Sequence, residues 1–287
     1  MHGSYDDPHK SLVNSCRFKK IFHMLSSEKP TPLDEASAER LRAIDYVLTD
    51  VDDTLTHGGR LPPETFRAMS RLQKAGIKVI PVTAAPAGWC DQMVRMWPVD
   101  AVIAENGGLY FHIPKSGHIP DIVPWLGRED LAKSRRCLEK IRQAALTALP
   151  NLSIAADQPF RLTSLAFNAP ADRSDLLRLL KSFGCSTTVN NLWVLAWFGA
   201  YTKLEMSRRL LAERFGLDID VEGQRLIYSG DSINDEPMFK ALPNSVGVAT
   251  VTDFLPQMSH GPTWITPSPG GYGFAEMAQT LLDARSA

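Results

Sequence analysis

At 287 residues, with 44% hydrophobic and 22% charged residues, the chain has an ordinary globular composition and is long enough for one large or two modest cores. A formal net charge of -1 gives no global electrostatic reason to bind nucleic acid or an anionic membrane, and the most continuous apolar stretch, 192–201, is far too short to span a bilayer. Cys16, Cys90, Cys137 and Cys185 are scattered without a CxxC pair, which points to reduced thiols in a cytoplasmic compartment and away from a disulfide frame or zinc site.

Residues 1–41 are polar, are interrupted by Pro8, Pro30 and Pro32, and carry a basic patch of Arg17, Lys19 and Lys20. They predict a loosely ordered extension with a short helix over 12–25. The stretch 46–56, YVLTDVDDTLT, organises the remainder of the chain. Val47 and Leu48 predict a buried strand whose tip emerges in Asp50, Asp52 and Asp53, followed by Thr54. Asp50 and Asp52 alternate with Val51, which on an extended chain puts both on one face. Carboxylates so close repel, and require a bound cation or one shared proton; alone, the stretch reads equally well as a solvated acidic turn.

After the turn His57-Gly58-Gly59, Pro62 and Pro63 open a helix with Phe66, Met69 and Leu72 on its apolar face, and Gly76 closes it. A strand over 77–82 ends at Thr83. A short helix over 89–96 and a strand over 100–104 lead into Glu105-Asn106-Gly107-Gly108. This alternation predicts a parallel sheet with helical crossovers. The rhythm then changes. Segments 109–113 and 118–123 flank Pro114-Lys115-Ser116-Gly117 as a hairpin. A long amphipathic helix carries Leu131, Leu138, Ile141, Ala145 and Leu149, and a strand over 164–168, a helix over 172–183 and strands over 186–189 and 192–197 come next. From Lys203 the first pattern resumes. Leu204, Leu211 and Phe215 mark a helix stopped by Gly216, and a strand over 225–228 runs into Ser229-Gly230-Asp231-Ser232-Ile233-Asn234-Asp235. Short strands over 245–249 and 263–266 precede a last helix with Phe274, Met277, Ala278, Leu281 and Leu282 on one face. The expected fold class is α/β: a Rossmann-like parallel sheet core with helices on both faces, built from 42–110 and 201–287, with an α+β module inserted over 111–200.

Asp50 and Asp52, Thr83, Lys203, and Asp231 with Asp235 fall at the carboxyl ends of predicted strands or at a helix start, the edge where open parallel sheets bind ligands. Carboxylates on separate strand tips suit a hard divalent cation such as Mg2+. A lysine and a threonine hydroxyl beside them suit a phosphoryl group. Singly, Thr83 is an ordinary strand end, Lys203 a solvated charge and 231–235 a helix cap; their joint order is what points to chemistry.

DVDDT at 50–54, a strand ending in Thr83, Lys203 and GDSIND at 230–235 together resemble the haloacid dehalogenase superfamily of phosphohydrolases. The long insertion, with ENGG at 105–108 and GGYGF at 270–274, resembles its type IIB members, which include sucrose-phosphate, mannosyl-phosphoglycerate and Cof-like sugar phosphatases. The resemblance spans 44–282, the insertion matching only in length and pattern. It implies a Mg2+-dependent phosphatase whose partner is a small phosphorylated metabolite, such as a sugar phosphate. By the same resemblance Asp50 would be the nucleophile, and Asp52 the acid for the leaving oxygen and then the base for water. Thr83 and Lys203 would hold the phosphoryl oxygens, and Asn106 and Asn234 would bind substrate. Asp50, the carbonyl oxygen of Asp52, Asp231 and Asp235 would hold Mg2+, and the inserted module would be a cap closing over the site.

The chain departs from that pattern in two places. Ala84-Ala85 stands where Gly-Arg usually comes after the threonine, which removes a charged donor, and Asp53 replaces the more usual glycine. A phosphomutase-like phosphotransferase, or a binding or regulatory protein with weakened catalysis, also fits the resemblance. SGDS at 229–232 resembles the nucleophile block of GDSL-type esterases, which would make Ser232 the nucleophile. That block normally lies near the amino end and precedes a late Asp-x-x-His, whereas 256–259 before His260 contains no carboxylate.

Overall fold

The computed structural model describes residues 29–189 and 193–286. The described chain opens with a two-residue strand, β1 (Thr31–Pro32), and a short helix, α1 (Ala38–Arg42). Next come β2 (Tyr46–Thr49), α2 (Pro63–Lys74), β3 (Lys78–Pro81), α3 (Ala87–Met96) and β4 (Val102–Ala104). A hairpin of β5 (Leu109–His112) and β6 (Asp121–Pro124) leads into α4 (Arg128–Ala148), β7 (Ser164–Asn168), α5 (Ser174–Ser182), β8 (Ser186–Val189) and β9 (Trp193–Trp197). The chain returns through α6 (Lys203–Leu210), α7 (Ile219–Glu222) and β10 (Leu226–Gly230). It ends with α8 (Glu236–Ala241), β11 (Ser245–Gly247), β12 (Trp264–Ile265) and α9 (Gly270–Ser286).

Six strands form a wholly parallel sheet in the order β1-β12-β11-β10-β2-β3. Alternation along β2 sets its two faces. Val47 packs with Val79, Leu72, Phe274 and Met277 on the side of α2 and α9, while Tyr46 and Leu48 meet Met206, Leu210 and Phe239 on the side of α6 and α8. β4 joins the far edge through a parallel bridge between Val82 and Ile103, and β5 and β6 continue antiparallel from it.

The inserted module has its own antiparallel sheet, β7-β9-β8. Leu138, Ile141 and Ala145 of α4, with Leu176 and Leu180 of α5, cover one face of it. The other face presents Ala166, Leu195 and Trp197 to Ala84 of the core.

Three expectations need correction. The extension expected to be loose over 1–41 is packed from residue 31 on: β1 pairs with β12, and Leu33 and Leu41 are buried in the main core. An edge strand of two residues and a helix of five are too short to carry a periodic signal. The helix expected over 12–25 lies outside the described residues. The hairpin, expected inside the module at 111–200, belongs to the core: it forms a three-stranded sheet with β4, which is bridged to the edge of the parallel sheet, and Tyr110 is buried in the core cluster. Phe66, expected on the buried face of α2, is exposed; Thr65, Ala68, Met69 and Leu72 turn inward instead. Among the described residues no helix is long and apolar enough to cross a membrane, and Cys90, Cys137 and Cys185 are free thiols.

Candidate active site

β2 stops at Thr49, so Asp50 and Asp52 stand on a tight loop and not on an extended strand. The amides of Leu55 and Thr56 converge on the Val51 carbonyl oxygen, each at 2.9 Å, and the Asp53 amide donates to Thr56 Oγ1 at 2.9 Å. Asp53 has φ 54°, in the left-handed region that aspartate tolerates better than most residues. The start of α9 closes the loop from behind, with the Gly271 amide on the Thr56 carbonyl oxygen at 3.1 Å.

The loop after β10 is built around Asp235, which is wholly buried. Its Oδ1 accepts from Lys203 Nζ at 2.8 Å and from the Tyr228 hydroxyl at 2.5 Å. Its Oδ2 accepts the backbone amides of Asp231 and Ser232 at 3.1 and 3.3 Å. A Cβ on Gly230 would stand 2.6 Å from this carboxyl, so the close approach requires glycine. Lys203 Nζ, itself buried, lies 2.8 Å from both Asp50 Oδ1 and Asp235 Oδ1. The Thr54 hydroxyl donates to Asp231 Oδ1 at 3.1 Å. One ligand oxygen from each of Asp50, Asp231 and Asp235 lies within 4.8 Å of the others.

This crowding shifts the acid–base chemistry. Burial pushes the Asp50 carboxyl up to about 7 against the pull of Lys203, with Asp235 and Asp52 adding to the rise. Burial, then the charges of Asp235 and Asp50, push Asp231 up to about 9. Asp52 is raised too, by burial foremost, with Lys203 opposing and Asp53 reinforcing. Burial alone would lower Lys203, but Asp235 and Asp50 outweigh it and hold the ammonium above the usual lysine range. One lysine faces three buried carboxylates, and Asp50 and Asp231 each keep one oxygen without a donor among the described residues. That donor set fits a hard divalent cation.

Asp50, Asp52, Asp53, Asp231, Asn234 and Ala84 line a cavity of about 500 Å³ between the core and the inserted module. A groove of about 570 Å³ on the module itself, bounded by Arg135, Arg142 and Ile154 among others, contains none of these carboxylates. The expected site residues lie at different depths. Asp50 and Asp231 line the cavity and are knitted to Lys203 and Asp235, which are buried and not among the lining residues, while Asp52 and Asn234 also line it. Thr83 is wholly buried, its hydroxyl accepting the Ala85 amide at 3.0 Å, and Ala84 is the wall residue at that strand end. Asn106, at φ 59°, is not among the lining residues; its amide donates to the Thr83 carbonyl oxygen at 2.9 Å.

Two residues given no role from the sequence tie the module to this edge. The buried Glu105 carboxylate accepts the Ala87 amide at 3.1 Å from the core. From the module it accepts the Leu162 and Thr163 amides at 2.6 and 2.9 Å and the hydroxyls of Thr163 and Ser164 at 2.8 and 2.7 Å. Gly107, at φ 103°, lets the chain pass under the Thr202 carbonyl, where a Cβ would come within 2.2 Å of the oxygen. Arg161, buried in the module, donates to Asp157 Oδ2 at 2.7 Å, to the Ala84 carbonyl oxygen at 3.0 Å and to Ser164 Oγ at 3.3 Å. Its guanidinium lies over the Trp193 ring, 5.5 Å from the centroid. The Ala84-Ala85 turn, expected to lack a charged donor, therefore receives one from the module. The four-residue spacing of Asp157 and Arg161 is the only local trace of it in the sequence.

Residues 47–119 match the family model for haloacid dehalogenase-like hydrolases, a span that takes in β2, the acidic loop and the strands and helices up to the hairpin. The chain has a haloacid dehalogenase-like fold. Among solved structures it is similar to Thermoplasma acidophilum 0175, with a TM-score of 0.65 and 19% identity over 83% of this chain and 98% of that one. A haloacid dehalogenase-like hydrolase from Bacteroides thetaiotaomicron gives a TM-score of 0.56 at 13% identity, covering 82% of this chain and 98% of that one. The subclass IIB sugar phosphatase BT4131 gives 0.57 at 13% identity, covering 82% and 98%. At these identities the likeness is one of fold. No curated protein sequence matches the chain. In this site Ser232 caps a turn. Its hydroxyl donates to Asn234 Oδ1 at 2.7 Å, and among the described residues no histidine is bonded to it, so the geometry of an esterase nucleophile is missing.

Proposed function

We propose that this protein is a Mg2+-dependent phosphatase that hydrolyses a small phosphate monoester, a sugar phosphate foremost, through an aspartyl-phosphate on Asp50. The observation that carries the reading is Lys203 Nζ at 2.8 Å from both Asp50 and Asp235, beside a cluster of three carboxylates, at the floor of a cavity. The fold-level likeness to a sugar phosphatase supports the substrate class.

Asp50, Asp231 and the carbonyl oxygen of Asp52 would hold Mg2+, which offsets the charge of the phosphoryl oxygens when bound. Asp235 orients the set, since all its hydrogen bonds go to Lys203, Tyr228 and the loop amides. Lys203 favours the ionised form of Asp50, whose carboxylate oxygen attacks phosphorus while the bond to the ester oxygen breaks. Asp52, whose pKa is raised, gives its proton to the departing oxygen. Water then attacks the same phosphorus and passes a proton back to Asp52, and the Asp50–phosphorus bond breaks to release inorganic phosphate. Lys203 neutralises the phosphoryl oxygens, and Ala84 and Asn234 line the pocket that receives them, with Thr83 buried behind Ala84. Arg161 and Glu105 hold the module against the sheet edge and so exclude bulk water.

Phosphate release from a panel of sugar and polyol monophosphates, with Mg2+ and with EDTA, tests the reading. Turnover that needs Mg2+ and vanishes in Asp50→Asn is expected. Turnover unaffected by EDTA, or retained in Asp50→Asn, would overturn it.

A further inference from the structure

Two further segments line the cavity above Asp50. Arg173 and Val189 come down from the inserted module, and Thr250, Asp253, Phe254 and Gln257 rise from the segment after β11. Arg173 is the only cation among the lining residues, at the start of α5, and it is half-buried. The carboxylates on its own segment are engaged elsewhere: Asp172 Oδ1 accepts the Ser174 amide at 2.9 Å, and Asp175 pairs with Arg178 at 2.9 Å. Asp53 and Asp253, which share the cavity, are exposed and form no ion pair with it. Among the described residues the Arg173 guanidinium has no hydrogen-bond or ion-pair partner.

The charge of the transferred phosphoryl group is already met at the floor by Lys203 and the carboxylate-bound cation of the proposed function. A guanidinium that lines the cavity from the module, and not from the core, has a different anion to meet, and its planar fork matches a carboxylate or phosphate with two parallel hydrogen bonds. We infer that Arg173 reads a second anionic group on the substrate, at the end remote from the ester that is cleaved. The substrate class is then a phosphorylated sugar or polyol that also carries a carboxylate or a second phosphate. The Thr250 hydroxyl, which is shielded from solvent and has no partner among the described residues, and the Gln257 amide lie on the wall available to the substrate's hydroxyl groups. The inference rests on the phosphatase reading.

Two matched pairs of esters test it: phosphoglycerate against glycerol phosphate, and fructose bisphosphate against fructose monophosphate, with p-nitrophenyl phosphate as a generic ester. The ratio of kcat/KM within each pair is measured for the wild type, Arg173→Gln and Arg173→Lys, with circular dichroism to confirm folding. The wild type is expected to prefer the doubly anionic member of at least one pair by roughly 10- to 100-fold. The preference should collapse toward unity in Arg173→Gln and survive in part in Arg173→Lys; the pair that responds distinguishes a carboxylate from a phosphate. Turnover of p-nitrophenyl phosphate without a charge preference would overturn the inference and leave the phosphatase reading standing. So would an equal loss on both members of a pair in Arg173→Gln, which would place Arg173 on the transferred phosphoryl group. No turnover of any ester would overturn both.

Discussion

The guanidinium of Arg161 donates to the carbonyl oxygen of Ala84 at 3.0 Å, linking residues 77 positions apart across the junction of module and core. Asp157 grips the same guanidinium through both carboxylate oxygens, at 2.7 and 3.3 Å, so a buried ion pair fixes the turn that forms one wall of the cavity. Breaking one side of a buried pair leaves the other charge without compensation. Arg161→Ala is expected to cost about 3–5 kcal/mol in urea unfolding, and displacement of Ala84 should lower kcat/KM roughly ten- to a hundredfold. Arg161→Lys, which keeps the charge but not the fork, should lose less on both counts. Unchanged stability in Arg161→Ala would show that the pair does not hold the module in place.

The same contact reverses what the bare motif suggests about Ala84-Ala85. Ala84 packs against Ala155, Ala166, Leu195, Trp197 and Tyr201, and Ala85 is wholly buried among Ala87 and Cys90. An arginine at 85 would have to bury its charge in that cluster. Ala84→Gly with Ala85→Arg is therefore expected to lower the melting temperature and reduce kcat/KM toward a generic ester. A folded double variant with higher kcat/KM would contradict the packing argument.

How legible these features are in the sequence depends on how local their causes are. Apolar runs ending in carboxylates mark β2 and β10, because a strand buried on both faces has to be apolar until its tip reaches the ligand edge. Lys203 stands out because it opens the helix that resumes the first pattern. The hairpin of β5 and β6 reads as part of the wrong unit because membership depends on the pairing of β5 with β4, and the hairpin pattern is the same in either sheet. β1 escapes notice because two residues have no period. Arg161 is illegible for the same kind of reason: its role comes from the docking of the module on Ala84, and the four-residue spacing from Asp157 announces only the local ion pair.

Asp231 carries a pH-dependent signature. Its carboxyl is pushed up from 3.8 to about 9, by burial foremost and then by Asp235 and Asp50. The folded, metal-free protein therefore holds this proton more tightly than the unfolded chain does. The resulting stability is fully present below the unfolded value and is lost as pH rises through the folded one, so in EDTA the melting temperature should fall between about pH 4 and about pH 9. Asp231→Asn should flatten that fall, and in EDTA it should melt higher than the wild type near the alkaline end. Mg2+ should raise the melting temperature of the wild type by an amount that grows with pH, as protons cease to compete for the ligand oxygens, and should not raise that of Asp231→Asn. Equal Mg2+ shifts in the two proteins would remove Asp231 from the metal set.

The most direct test of the central claim is the mass of the enzyme quenched in acid during turnover of a reactive phosphate ester with Mg2+, in the Asp52→Asn background that should slow hydrolysis of the intermediate. The account expects one added phosphoryl group, located by fragmentation to Asp50 and absent when Mg2+ is withheld or Asp50 is changed to Asn. A phosphoryl group on Ser232, or steady phosphate release from Asp50→Asn, would contradict it.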